Sequence, residues 1–246
     1  MPTQLEVCID SVKSALAAQE GGANRVELCD NLVEGGTTPS AGMIRLVREK
    51  IQIGLQVMIR PRGGDFLYTK EEFEVMKLDI QIAKDLGADG VVFGLLNPDG
   101  SVDKERCDEL IALARPMNIT FHRAFDMVKD PIKSLEDLIE LGIDRVLTSG
   151  LEPDVISGKS MLKKLVEQAD GRIIVLAGGG VRLHNVQELI AATGVPEIHV
   201  SGRKTQESAM TFRNEKVQMG ALASQEYIHK VADEGVIREF VRLIQR

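Results

Sequence analysis

The chain has 246 residues, 43% of them hydrophobic, enough to bury a core without disulfide or metal support. With 30 Lys+Arg against 37 Asp+Glu it carries a formal net charge of −7, which argues against nucleic acid and anionic membrane surfaces as partners. The three cysteines are too few and too spread for a disulfide framework, and neither a signal-peptide pattern nor a membrane-length apolar run is visible, so a reducing cytoplasmic setting is expected.

In chain order, apolar or alternating runs predict strands over residues 4–9, 25–29, 54–59, 90–94, 118–122, 145–149, 172–177 and 197–201. Helical periodicity is clearest over 11–20, 70–86, 103–115, 131–141 and 182–192, with a last helix expected over 225–244. Gly22-Ala23-Asn24-Arg25, Gly87-Ala88-Asp89-Gly90 and Gly142-Ile143-Asp144-Arg145 repeat one pattern, a glycine C-cap and short loop before a strand. No linker or change of composition interrupts the array. Eight βα units fit the length, so the expectation is a single α/β domain over 1–246, a TIM (β/α)8 barrel in preference to a doubly wound sheet.

The strands themselves carry the functional signal. Leu5-Glu6-Val7-Cys8-Ile9 and Val26-Glu27-Leu28-Cys29 alternate apolar with polar residues, and the third strand sets Gln56, Met58 and Arg60 opposite Leu55, Val57 and Ile59. The fifth sets Thr120 and His122, and the eighth His199 and Ser201, on the polar side. A barrel strand packs its apolar parity on the helices, so the polar parity points into the barrel. At the C-terminal mouth this places Cys8, Cys29, Arg60, His122, Ser149 and Ser201, with Glu6, Glu27, Met58, Thr120 and His199 beneath. One reading of such an interior is a self-satisfied network in which Arg60 neutralises Glu6 or Glu27. The glycine-bearing, charged loops that follow strands two, three and five favour a functional mouth instead.

Gly178-Gly179-Gly180 after strand seven and Ser201-Gly202-Arg203 after strand eight stand where barrels often bind phosphate through backbone N–H groups. The candidate anion-binding set is Arg60, Arg62, Arg123, Asp126, Ser149, Gly179, Gly180, Ser201, Gly202 and Arg203. Adjacent strands lie ~4.8 Å apart, so Cys8 and Cys29 in matching registers could both reach one ion. Soft thiolates, with the Met58 thioether nearby, select Cu(I); zinc is less favoured because no CxxC-type spacing appears. The competing reading is two small buried cysteines, and Cys107, in a helix, is read as structural.

Taken together, Glu6-Val7-Cys8, Val26-Glu27-Leu28-Cys29, Glu34-Gly35-Gly36-Thr37-Thr38-Pro39-Ser40, Met58-Ile59-Arg60-Pro61-Arg62-Gly63-Gly64-Asp65-Phe66, Thr120-Phe121-His122-Arg123-Ala124-Phe125-Asp126 and Val146-Leu147-Thr148-Ser149-Gly150 resemble the CutC family, named for copper homeostasis. The resemblance runs from Leu5 to about Gly220 and is nearer its animal branch. It implies a TIM barrel, a cytoplasmic location (nuclear as well in a eukaryotic source), a homo-oligomer, dimer or tetramer, and Cu(I) as ligand. The cysteines of the family's two Glu-x-Cys motifs, proposed copper ligands, match Cys8 and Cys29. Ala177 stands where the family often has proline, and Val200-Ser201-Gly202 departs from its usual His-x-Ser. Two readings follow. The first is a copper homeostasis protein binding Cu(I) through Cys8 and Cys29. The second is an enzyme for a small anionic substrate, phosphorylated or not, with Arg60 and Arg62 as clamp, His122 as general acid or base and Glu27 as its partner.

Overall fold

The computed structural model describes residues 3–214, 216–219 and 226–245, so Gly220, which bounds the family resemblance, and Gln225, which opens the expected last helix, lie outside the described residues. In chain order the elements are β1 (Gln4–Ile9), α1 (Val12–Glu20), β2 (Arg25–Leu28), α2 (Ala41–Lys50), β3 (Gly54–Met58), α3 (Lys70–Asp85), β4 (Gly90–Phe93), α4 (Lys104–Ala114), β5 (Asn118–Phe121) and α5 (Pro131–Glu140). There follow β6 (Arg145–Thr148), α6 (Lys159–Ala169), β7 (Ile174–Gly178), α7 (Val186–Thr193), β8 (Glu197–Val200), β9 (Arg203–Glu207), β10 (Ile228–Ala232) and α8 (Glu234–Ile244). Strands β1 to β8 pair in sequence order and close by a parallel β1–β8 ladder, which makes the fold a TIM barrel.

The helices begin where local chemistry says they should. Ser11, Ser40, Asp103, Asp130 and Asp233 each accept a backbone N–H of the first turn, and Thr69 with Glu72 forms a reciprocal capping box on α3. Their apolar faces pack on Leu5, Val7, Val26, Leu55, Val57, Ile119, Phe121 and Ile198, the outward parity of the strands.

The C-terminal region departs from expectation. Residues 228–232 are not helical: they form β10, which pairs antiparallel with β9 in a two-stranded ribbon outside the barrel. Asp233 then caps α8 by accepting a hydrogen bond from Val236 N–H.

At the floor of the barrel the polar parity makes an ion network. Arg25 Nε donates to Glu6 Oε2 at 2.5 Å and its Nη2 to Glu197, while Arg145 Nε reaches Glu197 at 2.9 Å. Arg25, not Arg60, therefore neutralises Glu6.

Candidate functional site at the barrel mouth

Above that floor the ladders β1–β2 and β1–β8 set Cys8 beside Glu27 and Glu6 beside His199. His199 Nδ1 donates to Glu6 Oε1 at 2.7 Å and its Nε2 lies 3.7 Å from Glu27 Oε2. Cys29 Sγ lies 3.4 Å from the same Glu27 oxygen. One sulfur, nitrogen and oxygen atom from Cys8, His199 and Glu27 come within 4.8 Å of one another, a grouping that could hold a metal ion. Cys8, Cys29, Met58 and Val92 form one buried cluster beside it. Cys107 lies apart in α4, its thiol pushed up to about 12 by burial.

Electrostatics differentiates these groups. Burial opposes ionisation of Glu6, but Arg25 and His199 outweigh it and bring the carboxyl down to about 2. Burial likewise opposes charge on His199, yet Glu27 and the contacts with Cys8 and Glu6 hold its pKa well above the ordinary imidazole value. Glu27 pairs with no guanidinium among the described residues, and burial lifts it to about 8 against the pull of His199. The Cys8 thiol is lowered, first by the hydrogen bond from Cys29 and then, against burial, by His199. Cys29, the donor in that pair, is raised. The pair therefore ionises at Cys8 first, beside an imidazolium.

On the opposite wall His122 caps the short turn after β5. Its Nδ1 accepts the Ala124 N–H at 3.2 Å, and its ring meets Phe66 at 4.9 Å between centroids. Burial, then the charge of Arg60, lowers its pKa to about 3, so it is neutral at pH 7. Gly94 makes room for the ring: a Cβ there would stand 2.6 Å from His122 Nδ1 and 2.9 Å from Ala124 Cβ. Gly94→Ala should therefore cost about 1–3 kcal/mol by overpacking. An unchanged urea midpoint would show that the ring can move aside at no cost.

The structure divides the expected anion set. Arg60 is buried, and its Nη1 donates to Glu34 O at 2.8 Å and Gly36 O at 2.9 Å and its Nη2 to Gly64 O at 2.8 Å, so it ties two loops together. Arg62 turns outward to Glu72 and Asp65. The two arginines thus do not form the clamp expected of them. Arg123 donates from Nε to Asp126 at 2.7 Å and from Nη2 to Ser149 Oγ at 2.8 Å. Asp126 also accepts from Ser149 N–H, Leu151 N–H and Thr148 Oγ1, which makes it the organiser of this loop rather than a group that binds an anion. Gly179, at φ +101°, passes so close that a Cβ would meet Ser149 Cβ at 3.2 Å and the Arg123 guanidinium at 3.3 Å. Gly180 faces Asp154 instead. Ser201, Gly202 and Arg203 line a different cleft, with Arg182, Lys204 and Lys230.

What remains at the centre is a cavity of about 100 Å³. Its polar wall is Cys8, Glu27, Arg60, His122, Arg123 and His199, and its apolar wall includes Met58, Phe66 and Leu147. His199, whose ring nitrogen converges with Cys8 and Glu27, is the site residue to which sequence reasoning gave no role; its place opposite Ile198 and Val200 on an alternating strand was the available signal.

Comparisons with known proteins agree on this chain. The CutC family model matches residues 3–204. The human protein described as a copper homeostasis protein cutC homolog is 54% identical over 235 residues, covering 95% of this chain and 86% of its own. A CutC family protein of Chromobacterium violaceum is 49% identical over 234 residues, 95% of each chain. Among solved structures, that of CutC from Streptococcus agalactiae superposes with a TM-score of 0.77 at 37% identity, over 81% of this chain and 98% of the other.

Proposed function

We infer the function from the premise that this chain belongs to the CutC family, and propose that it is a copper homeostasis protein that binds Cu(I) as cargo at the barrel mouth through Cys8 and Cys29. The observation that carries this reading is the buried sulfur cluster, in which Cys8 on β1, Cys29 just past β2 and the Met58 thioether pack together, with the His199 imidazole close to Cys8. Soft sulfur donors suit Cu(I), and a sulfur-rich set disfavours Mg2+ or Ca2+. Charge supports it too. Two thiolates around a monovalent ion leave one negative charge, and the His199 imidazolium offsets it without outside ions.

A cytoplasmic setting accords with thiols kept reduced; no helix among the described residues is long and apolar enough to cross a membrane. Anaerobic competition titration tests the reading. Wild type should bind Cu(I) tightly, and the Cys8→Ser, Cys29→Ser double variant should lose that binding while its circular dichroism stays native. Binding of equal stoichiometry in the double variant would place the copper elsewhere and overturn the assignment.

A further inference from the structure

The copper reading uses the β1, β2 and β8 side of the mouth. It leaves the β3–β5 side, with His122, unexplained. His122 is 3% exposed, and its Nε2 has no hydrogen-bond partner among the described residues. Because Nδ1 accepts from Ala124 N–H, the ring proton of the neutral imidazole resides on Nε2. A buried N–H without an acceptor costs about 1–3 kcal/mol. Three separate contacts nonetheless hold the ring in this pose: the Ala124 amide, the Phe66 face and the notch at Gly94. With Nδ1 turned to the wall, Nε2 is the ring nitrogen left for the cavity that His122 lines.

The rest of the lining says what would accept that proton. The cavity, about 100 Å³, suits the reacting end of a small metabolite. Arg123 stands at its rim with a side chain 44% exposed; Nε and Nη2 are bound to Asp126 and Ser149, which aims the guanidinium and leaves Nη1 to meet an anion. Phe66, Met58 and Leu147 supply an apolar surface for a short carbon stem.

We propose that the mouth cavity is a binding site for a small oxo acid, whose carbonyl oxygen accepts from His122 Nε2–H and whose carboxylate meets Arg123. A neutral imidazole donating to a carbonyl polarises it without transferring a full proton, the role of an electrophile rather than of a general acid or base. His122 is thus the specificity-determining donor of this site. The inference stands apart from the copper reading, since Cys29 does not line the cavity and the groups that would bind the oxo acid are His122 and Arg123.

Pyruvate is the probe, titrated against the full metal-free chain at pH 7 by ligand-observed NMR, with acetate alongside. Wild type should bind pyruvate saturably and more tightly than acetate. His122→Phe should weaken binding roughly tenfold to a hundredfold, as loss of a buried hydrogen-bond partner does. His122→Gln, whose amide reaches the Nε2 position, should restore much of it. Cys29→Ser should keep pyruvate while losing Cu(I), so failure of one reading is distinguishable from failure of the other. In wild type labelled with 15N-histidine, the His122 Nε2 resonance should move on saturation, a readout that survives even if the Phe variant does not fold. No saturable pyruvate binding, acetate bound as tightly as pyruvate, equal affinity in His122→Phe, or a stationary Nε2 resonance would each overturn the proposal.

Discussion

Replacing Arg25 by methionine should lower the free energy of unfolding by about 3–5 kcal/mol, the usual cost of removing one partner from a buried ion pair. Arg25 is 7% exposed and serves two carboxylates, Glu6 and Glu197, at the floor of the barrel. Methionine keeps much of the stem volume, so a cavity accounts for little of the loss. Among the described residues, removal of Arg25 leaves Glu6 with His199 and Glu197 with Arg145 as ion-pair partners. The Glu6→Gln, Arg25→Met double variant should recover part of the deficit, because it removes a buried charge along with its partner. Urea denaturation at pH 7 measures both. A loss below about 1 kcal/mol for Arg25→Met would mean that water reaches the floor and the network is not desolvated.

The second large effect is a pH dependence assigned to His122. Its pKa in the fold is about 3 against 6.5 unperturbed, so between these values the unfolded chain binds the extra proton. The stability it contributes is therefore fully present above pH 6.5 and is lost as pH falls through that window, at about 1.4 kcal/mol per unit. Glu27 works oppositely. Its pKa is raised to about 8, so the fold binds its proton more readily, and this stabilisation fades as pH rises from 4.5 toward 8. The two slopes oppose each other in the wild-type curve, and a comparison of variants separates them. The stability advantage of wild type over His122→Gln should shrink by about 2–3 kcal/mol between pH 6.5 and 4.5, because Glu27 titrates in both proteins. His199 does not interfere: its pKa is raised, so its contribution is fully present below pH 6.5 and is lost only as pH rises. A constant difference across that range would show that His122 is solvated.

The alternation of Glu6 and Cys8, and of Glu27 and Cys29, with apolar neighbours made the barrel interior readable from the chain, because period two assigns a face to every residue. Strand bounds followed to within one or two residues. What could not be read depends on partners far away. Arg25 opens its strand like any loop-edge cation, and its partner Glu197 lies 172 positions on. Arg60 sits on the inward parity as expected, yet its Nη groups are consumed by carbonyls of two loops whose path no local pattern specifies. The β9–β10 ribbon was missed because its strands pair across an intervening segment, whereas the helical pattern of α8 is local. The distinct states of Cys8 and Cys29 are equally hidden, since both stand in the same Glu-x-Cys frame and what separates them is the direction of the bond between them together with the imidazole of the last barrel strand.

The closure of the barrel by β1 against β8 also has a temporal side. His199 and Glu6 are 193 positions apart, and at the ~5–20 residues per second of protein synthesis His199 leaves the peptidyl-transferase centre about 10–40 s after Glu6. Throughout that interval the nascent chain carries Cys8 and soon Cys29, but neither the imidazole that favours the thiolate nor the wall that shelters it. The mouth thus matures with the last strand. A message cut short before β8 would yield a product bearing both thiols and no assembled pocket.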